Sequence, residues 1–310
     1  MSKNRPYRYP LYLLLRLLQG MSLVLPRLFM LGFAKVAGKM AWRILPKERR
    51  RVFQHLELAF GDSKTQKEFN RIGEAVFQNL GKTAVDTLRM PKLKKKILQS
   101  GFVFCDPSTF KKMDQAHEAG NGIIILTGHI GNWELVALFM MSHGYPSGAI
   151  VRRIYYEPFN RVLESVRRST GVQVIYRDES PKAILTLLKN NQTVGILPDQ
   201  DVDSVDGIFV PFFGKLAYTP TAPAKLSLAS RAPILPMFML RDGLKYRFVA
   251  DELIWPELEL SREEAVIKMT KQWSASVESI VRQFPEQWVW MHRRWKTQEN
   301  MTGKVSKGHE

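Results

Sequence analysis

Acidic side chains are scarce in this 310-residue chain: 29 Asp and Glu stand against 46 Lys and Arg, a formal net charge of +17. That imbalance points to an anionic partner, either nucleic acid or a membrane surface with acidic lipids. Cysteine is nearly absent. A single Cys105 excludes an intrachain disulfide and fits a reducing compartment. The six histidines are scattered, no Cys/His cluster has zinc spacing, and no Walker or GxGxxG loop occurs, so neither a metal nor a cofactor is expected.

Long uncharged apolar runs are also missing. Residues 10–42 are strongly apolar, but Arg16, Arg27 and Lys35 interrupt them. Ten uncharged residues separate Arg16 from Arg27, short of the roughly 18 that a spanning helix needs. Pro26 adds a kink, and no small-residue cleavage signature follows. Leucines mixed with arginines, with Tyr12 and Trp42 at the ends, suit a helix lying in a membrane interface with its basic groups snorkelling to lipid phosphates. A tilted single span and a buried amphipathic helix are the alternatives. Lys3, Arg5 and Arg8 ahead of the segment would hold that end on the cytoplasmic side.

What is present is an alternation of strand and helix signals. Amphipathic helices fill the region to about Leu88, with Phe53, Leu56 and Phe60 at helical spacing. Strands are then predicted at 102–104, 122–127, 148–151, 172–176 and 193–197, and helices at 107–119, 158–168 and 181–188. The expected fold is therefore α/β, a largely parallel central sheet flanked by helices with an N-terminal hydrophobic anchor. The expected division is an anchor at 1–45, a catalytic domain at 46–300 and a polar tail at 301–310.

The stretch TGHIGNWE, 127–134, carries the first chemistry. His129 and Glu134 sit five residues apart, about 140° around a helix, so one continuous helix cannot bring them together. A strand ending near Thr127, a turn eased by Gly128 and Gly131, and a helix capped by Asn132 would let Glu134 fold back onto His129 and raise its basicity. Loops at the ends of parallel strands are where α/β folds place their chemistry. Three further groups draw attention. Arg152 and Arg153 end a strand, with Arg167 and Arg168 on the next helix, and arginine suits bidentate phosphate contact. LPDQD, 197–201, puts Asp199 and Asp201 after a buried strand, either to position a basic group or substrate or to cap a turn. PEQWVWMHRRWK, 285–296, interleaves aromatics with cations, suited to stacking on bases, to a lipid interface or to core packing.

Taken in order, TGHIGNWE, LPDQD, GIFVPFFGKLAYTPTAPAKLSLASRAPILP (207–236), PEQWVWMHRRWK and the QHLELAFGD stretch at 54–62 resemble the late acyltransferases of lipid A biosynthesis, the lauroyl/myristoyl transferase family. That family lies within the glycerolipid acyltransferase-like group, marked by His-x4-Asp/Glu. The resemblance implies transfer of a fatty acyl group from an acyl carrier protein thioester to a hydroxyl on a lipid A precursor, at the cytoplasmic face of a bacterial inner membrane. It implies His129 as general base and Glu134 as its orienting carboxylate. Arg153 and, by a looser match, Arg168 would contact the oxyanion or a lipid phosphate, with Asp199 and Asp201 bracing them and Asn132 in the substrate-binding set. The chain departs from the family pattern where Val202–Asp206 intervenes before Gly207. Two other readings stay in view: the same chemistry on a different glycolipid or aminolipid, and a basic nucleic-acid-binding protein, against which stands the lack of any recognised binding module.

Overall fold

The computed structural model describes residues 6–178, 181–202 and 204–298; the expected polar tail at 301–310 lies outside them. The first 96 residues supply five helices: α1 (Arg8–Val24), α2 (Arg27–Ile44), α3 (Pro46–Phe60), α4 (Gln66–Leu88) and α5 (Met90–Lys96). Thr65 and Glu68 form a capping box that starts α4, each side chain bonding the other's backbone amide. Pro26, with no amide hydrogen to donate, separates α1 from α2. Met30, Leu31, Ala34, Gly38 and Trp42 make the buried face of α2, which lies along α4. The approach is close: a Cβ on Gly38 would sit 2.6 Å from the Phe77 carbonyl oxygen. Only glycine allows that spacing.

The alternation that follows runs β1 (Val103–Cys105), α6 (Pro107–Glu118), β2 (Ile123–Leu126), α7 (Glu134–Ser142), β3 (Ser147–Val151), α8 (Glu157–Arg168), β4 (Gln173–Tyr176), α9 (Pro181–Lys189) and β5 (Thr193–Ile196). A two-stranded antiparallel unit, β6 (Gly207–Phe212) and β7 (Lys215–Pro220), then precedes α10 (Ala222–Ser230), β8 (Ile234–Asp242), β9 (Lys245–Ala250) and α11 (Arg262–Gln283). The main sheet has seven strands in the order β1-β9-β8-β2-β5-β3-β4. Every neighbouring pair is parallel except β8 with β9, so the expected largely parallel α/β architecture is what the chain forms.

Strand β2 explains why the sheet is covered on both faces. All four of its residues are fully buried aliphatics. Ile124 and Leu126 join one core with Trp273, Trp288 and Trp290, while Ile123 and Ile125 join a second with Leu135, Phe139 and Phe248. A strand with two apolar faces needs a layer on each side, and the helices supply it.

The N-terminal segment is where a membrane anchor is expected from the sequence. Among the described residues no helix is long and apolar enough to cross a membrane. Instead α1 and α2 lie on the body of the protein and turn a second apolar face outward, including Leu14, Leu17, Leu28, Phe29, Phe33 and Val36.

Candidate active site

Strands β2 and β5 are parallel neighbours with Leu126 opposite Ile196. Their chains therefore leave the sheet at the same end, and the third residue beyond each strand is His129 on one side and Asp199 on the other. The two meet. His129 Nδ1 lies 2.7 Å from Asp199 Oδ1, and the His129 backbone amide donates to Asp199 Oδ2 at 2.7 Å. The Trp288 indole donates to the same Oδ2 at 2.9 Å.

Each contact has a chemical consequence. Asp199 is almost fully buried. Burial alone favours the neutral acid, yet the charge of His129 and the hydrogen bonds from its ring, the Trp288 indole and the His129 amide hold the carboxyl well below the usual carboxylate range. For His129, burial opposes the charged form, but Asp199 outweighs it by charge and hydrogen bond, with a smaller contribution from Glu134. The imidazole is thus more basic than an ordinary histidine. An ionised carboxylate at Nδ1 fixes the proton there and leaves the Nε2 lone pair for chemistry.

The turn that presents His129 is tied down on every side. Gly131 takes φ +62°, and a Cβ there would sit 2.2 Å from the Met239 carbonyl oxygen. Its amide donates to Gln287 O at 3.0 Å, its carbonyl accepts from Thr83 Oγ1 at 2.9 Å, and the Asn132 amide donates to Met239 O at 2.8 Å. The Trp288 segment runs antiparallel alongside, with Val289 N donating to His129 O at 3.1 Å. Trp288 and Trp290 are core residues, and Trp288 also reaches the site.

Several expected placements need correction. The carboxylate bonded to His129 is Asp199; Glu134, expected there, is held by Arg167 at 2.8 and 2.6 Å. That bidentate pairing turns Glu134 toward α8, close enough for its charge to reach His129 without a hydrogen bond between them. Asn132 does not cap α7, whose preceding residue is Trp133 with no side-chain cap. The Asn132 side chain is buried and donates to Tyr246 Oη at 3.2 Å, because the left-handed Gly131 swings it inward. Arg168 pairs with Glu164 on its own helix at 2.8 Å, one position along from the arginine that reaches Glu134. Arg153 lies over the Tyr176 ring, 3.7 Å from its centroid, and 3.7 Å from Asp178. Asp201 accepts from the backbone amide and hydroxyl of Thr297 at 2.6 and 2.8 Å, fixing the C-terminal segment. Arg167, expected with Arg168 as a phosphate contact, instead holds Glu134. Gln200, Trp288 and His292 were not singled out as site residues, although LPDQD and the aromatic–basic run contain them.

A part-buried histidine held by a buried aspartate at the carboxyl ends of parallel strands has the geometry that general-base chemistry needs. The chain matches the bacterial lipid A biosynthesis acyltransferase family over residues 2–297 and belongs to that family; it is an acyltransferase. It is 25% identical to lipid A biosynthesis acyltransferase 2 of Shigella flexneri, over 96% of this chain and 94% of the relative. It is 24% identical to lipid A biosynthesis myristoyltransferase of Escherichia coli (strain K12), over 96% and 91%. A phosphatidylinositol mannoside acyltransferase of Mycolicibacterium smegmatis is 24% identical across 58% of this chain and 59% of the relative.

Proposed function

We propose that this protein transfers a fatty acyl group from an acyl carrier protein thioester to a hydroxyl of a lipid A precursor, at the cytoplasmic face of the bacterial inner membrane, with His129 as general base. The observation that carries this reading is the 2.7 Å contact of His129 Nδ1 with buried Asp199, which directs Nε2 to act as the base.

The step balances without a covalent enzyme intermediate. As the acceptor oxygen bonds to the thioester carbonyl carbon, its proton passes to His129 Nε2 and the carbonyl π electrons move to oxygen. The oxyanion collapses, the C–S bond breaks, and the departing thiolate takes the proton from His129. A base is needed because the free hydroxyl is far too weak an acid to ionise at neutral pH. Asp199 steadies the imidazolium formed in between; Glu134, braced by Arg167, adds a second negative charge at longer range. The exposed apolar faces of α1 and α2 lie in the membrane interface and bring the site to its lipid acceptor. Likeness to a phosphatidylinositol mannoside acyltransferase over part of the chain favours, as a second reading, another membrane glycolipid as acceptor.

The test is a thin-layer assay with membranes containing the protein, a radiolabelled lipid A precursor and a panel of carrier-protein thioesters. A more acylated product that disappears in His129→Ala is expected. Wild-type turnover by purified His129→Ala would end the general-base reading. Product formed only on a different glycolipid would move the acceptor to the second reading.

A further inference from the structure

A thioester attacked by an alkoxide develops negative charge on its carbonyl oxygen, and that oxygen needs hydrogen-bond donors. Backbone amides of the loop that holds the base are the first place to look for them. Here four successive amides are committed. His129 N donates to Asp199, Ile130 N to Gly128 O at 2.7 Å, Gly131 N to Gln287 O and Asn132 N to Met239 O. The Trp288 indole is committed to Asp199, and Arg294, from the same C-terminal segment, gives Nη1 to Tyr218 O and Nη2 to Thr219 Oγ1 of β7, both at 2.6 Å, which leaves its buried Nε as the nitrogen without a partner.

One side-chain amide remains at the imidazole. Gln200, the residue after Asp199, places Nε2 at 3.1 Å from both ring nitrogens of His129. A point equidistant from both nitrogens at that range cannot lie in the ring plane, where it would collide with the carbon between them. The amide therefore sits over the face of the imidazole and does not occupy the in-plane lone pair of His129 Nε2. Its one short partner is His292 Nε2, at 2.7 Å, with the two imidazole centroids 5.2 Å apart.

From this arrangement, and resting on His129 as the base, the geometry points to Gln200 as a catalytic residue that donates an amide hydrogen to the oxyanion, and to His292 as the positioning residue that aims it. An amide nitrogen carries two hydrogens. His292 Nε2 accepts one, which fixes the amide plane, and the other is left for the reacting carbonyl beside His129. For this His292 must be neutral, since a protonated ring would oppose a donor to a donor. It is: burial and then the charge on His129 push its pKa down to about 4. The two histidines thus divide the labour through their surroundings. His129, on Asp199, exchanges a proton; His292, beside that charge, does not.

The experiment measures kcat and KM for both substrates with the full-length protein and carrier-protein thioester as donor, in wild type, His129→Ala, Gln200→Ala, Gln200→Met, His292→Phe and the Gln200→Met/His292→Phe double variant. Gln200→Met keeps much of the side-chain length and removes the donor, so it stands if Gln200→Ala does not fold. Removing an oxyanion donor is expected to lower kcat about 10²–10³-fold with KM little changed. His292→Phe is expected to lower kcat in the same way but less, and to cost nothing further when Gln200 is already Met, because a residue that acts only through Gln200 has no separate effect. A purely structural role would give additive losses. Wild-type kcat in Gln200→Met while His129→Ala is inactive overturns this inference and leaves the base in place. A loss confined to KM, or additive losses in the double variant, overturns it as well. If His129→Ala and Gln200→Met are both fully active, the reading of the site itself falls.

Discussion

At the scale of single residues, the site depends on which carboxylate meets His129. Asp199 does so with both oxygens hydrogen-bonded and its side chain buried, so it sets both the tautomer and the basicity of the imidazole. With the free base required for attack, kcat/KM should rise with pH along a limb set by the raised His129 pKa, above the ordinary imidazole value of about 6.5. Asp199→Asn removes the charge that holds the proton on His129. The limb then moves to lower pH, while the plateau falls about 10³- to 10⁴-fold through loss of the correct tautomer. A pH–rate profile of the two proteins checks both effects; a limb that stays in place in Asp199→Asn would break the link between Asp199 and the base. The same pairing has a signature in stability. A histidine whose pKa is raised by folding adds stability that is fully present below its unfolded value and fades as pH rises through the folded one.

At the scale of elements, the helical N-terminus is joined to the turn that presents His129 through one buried anion. Asp86 on α4 receives Arg27 of α2 at 2.7 and 2.8 Å, Arg241 of β8 at 2.9 Å and the Tyr246 hydroxyl of β9 at 2.5 Å, and Tyr246 in turn accepts from Asn132. Burial favours the neutral acid, but the Arg27 hydrogen bond and the two arginine charges win and hold the Asp86 pKa down. Asp86→Asn leaves two arginines without their counter-charge and is expected to cost about 3–5 kcal/mol. The sign follows from the depressed pKa: the stabilisation is present above the unfolded carboxylate value of about 3.9 and is lost as pH falls through the folded one. Thermal unfolding of the two proteins should therefore differ at neutral pH and converge in acid; a gap that persists unchanged to pH 3 would assign the loss to packing. Elements also mark where the sequence was readable. The strands from 102 to 197 announce themselves as short β-branched runs, and Pro158 and Pro181 start helices at 157 and 181. Strand β8 does not, because Ile234–Arg241 is buried on both faces and does not alternate, and Pro236 interrupts it. That proline marks a change of partner: β8 pairs with β2 up to Pro236 and with β9 from Met237 onward. The same limit governs the site. His129 and its turn are written in a local run of strand, glycines and helix, whereas Asp199 and Trp288 arrive from 70 and 159 positions away, through a strand register that local periodicity does not encode.

At the scale of the whole molecule, the net charge and the exposed leucines have a single explanation if they act together. The first 47 residues hold nine Lys and Arg and no Asp or Glu. Around those cations, Leu17 and Phe29 are each 59% exposed, on helices whose other faces are packed against the protein. An apolar face flanked by cations gains twice at an anionic bilayer: by burying hydrocarbon, and by roughly 1 kcal/mol for each Lys or Arg near the surface. Neither α1 nor α2 is long and apolar enough to cross a membrane; the contact proposed for their exposed apolar faces is with one leaflet, lying flat. Burying a Leu or Phe side chain stabilises by about 1.5–3 kcal/mol, so replacing both Leu17 and Phe29 by Glu should weaken vesicle binding at least about 10²- to 10⁴-fold. Because both side chains already face water, the unfolding temperature should not change. Co-sedimentation with vesicles containing acidic phospholipid, at low and high salt, measures this directly. Wild-type binding should weaken as salt screens the cations, and the double variant should stay in the supernatant at both. A double variant that still sediments would move the membrane contact away from α1 and α2. A wild-type protein that binds neutral and acidic vesicles alike would leave the +17 without a role at the bilayer.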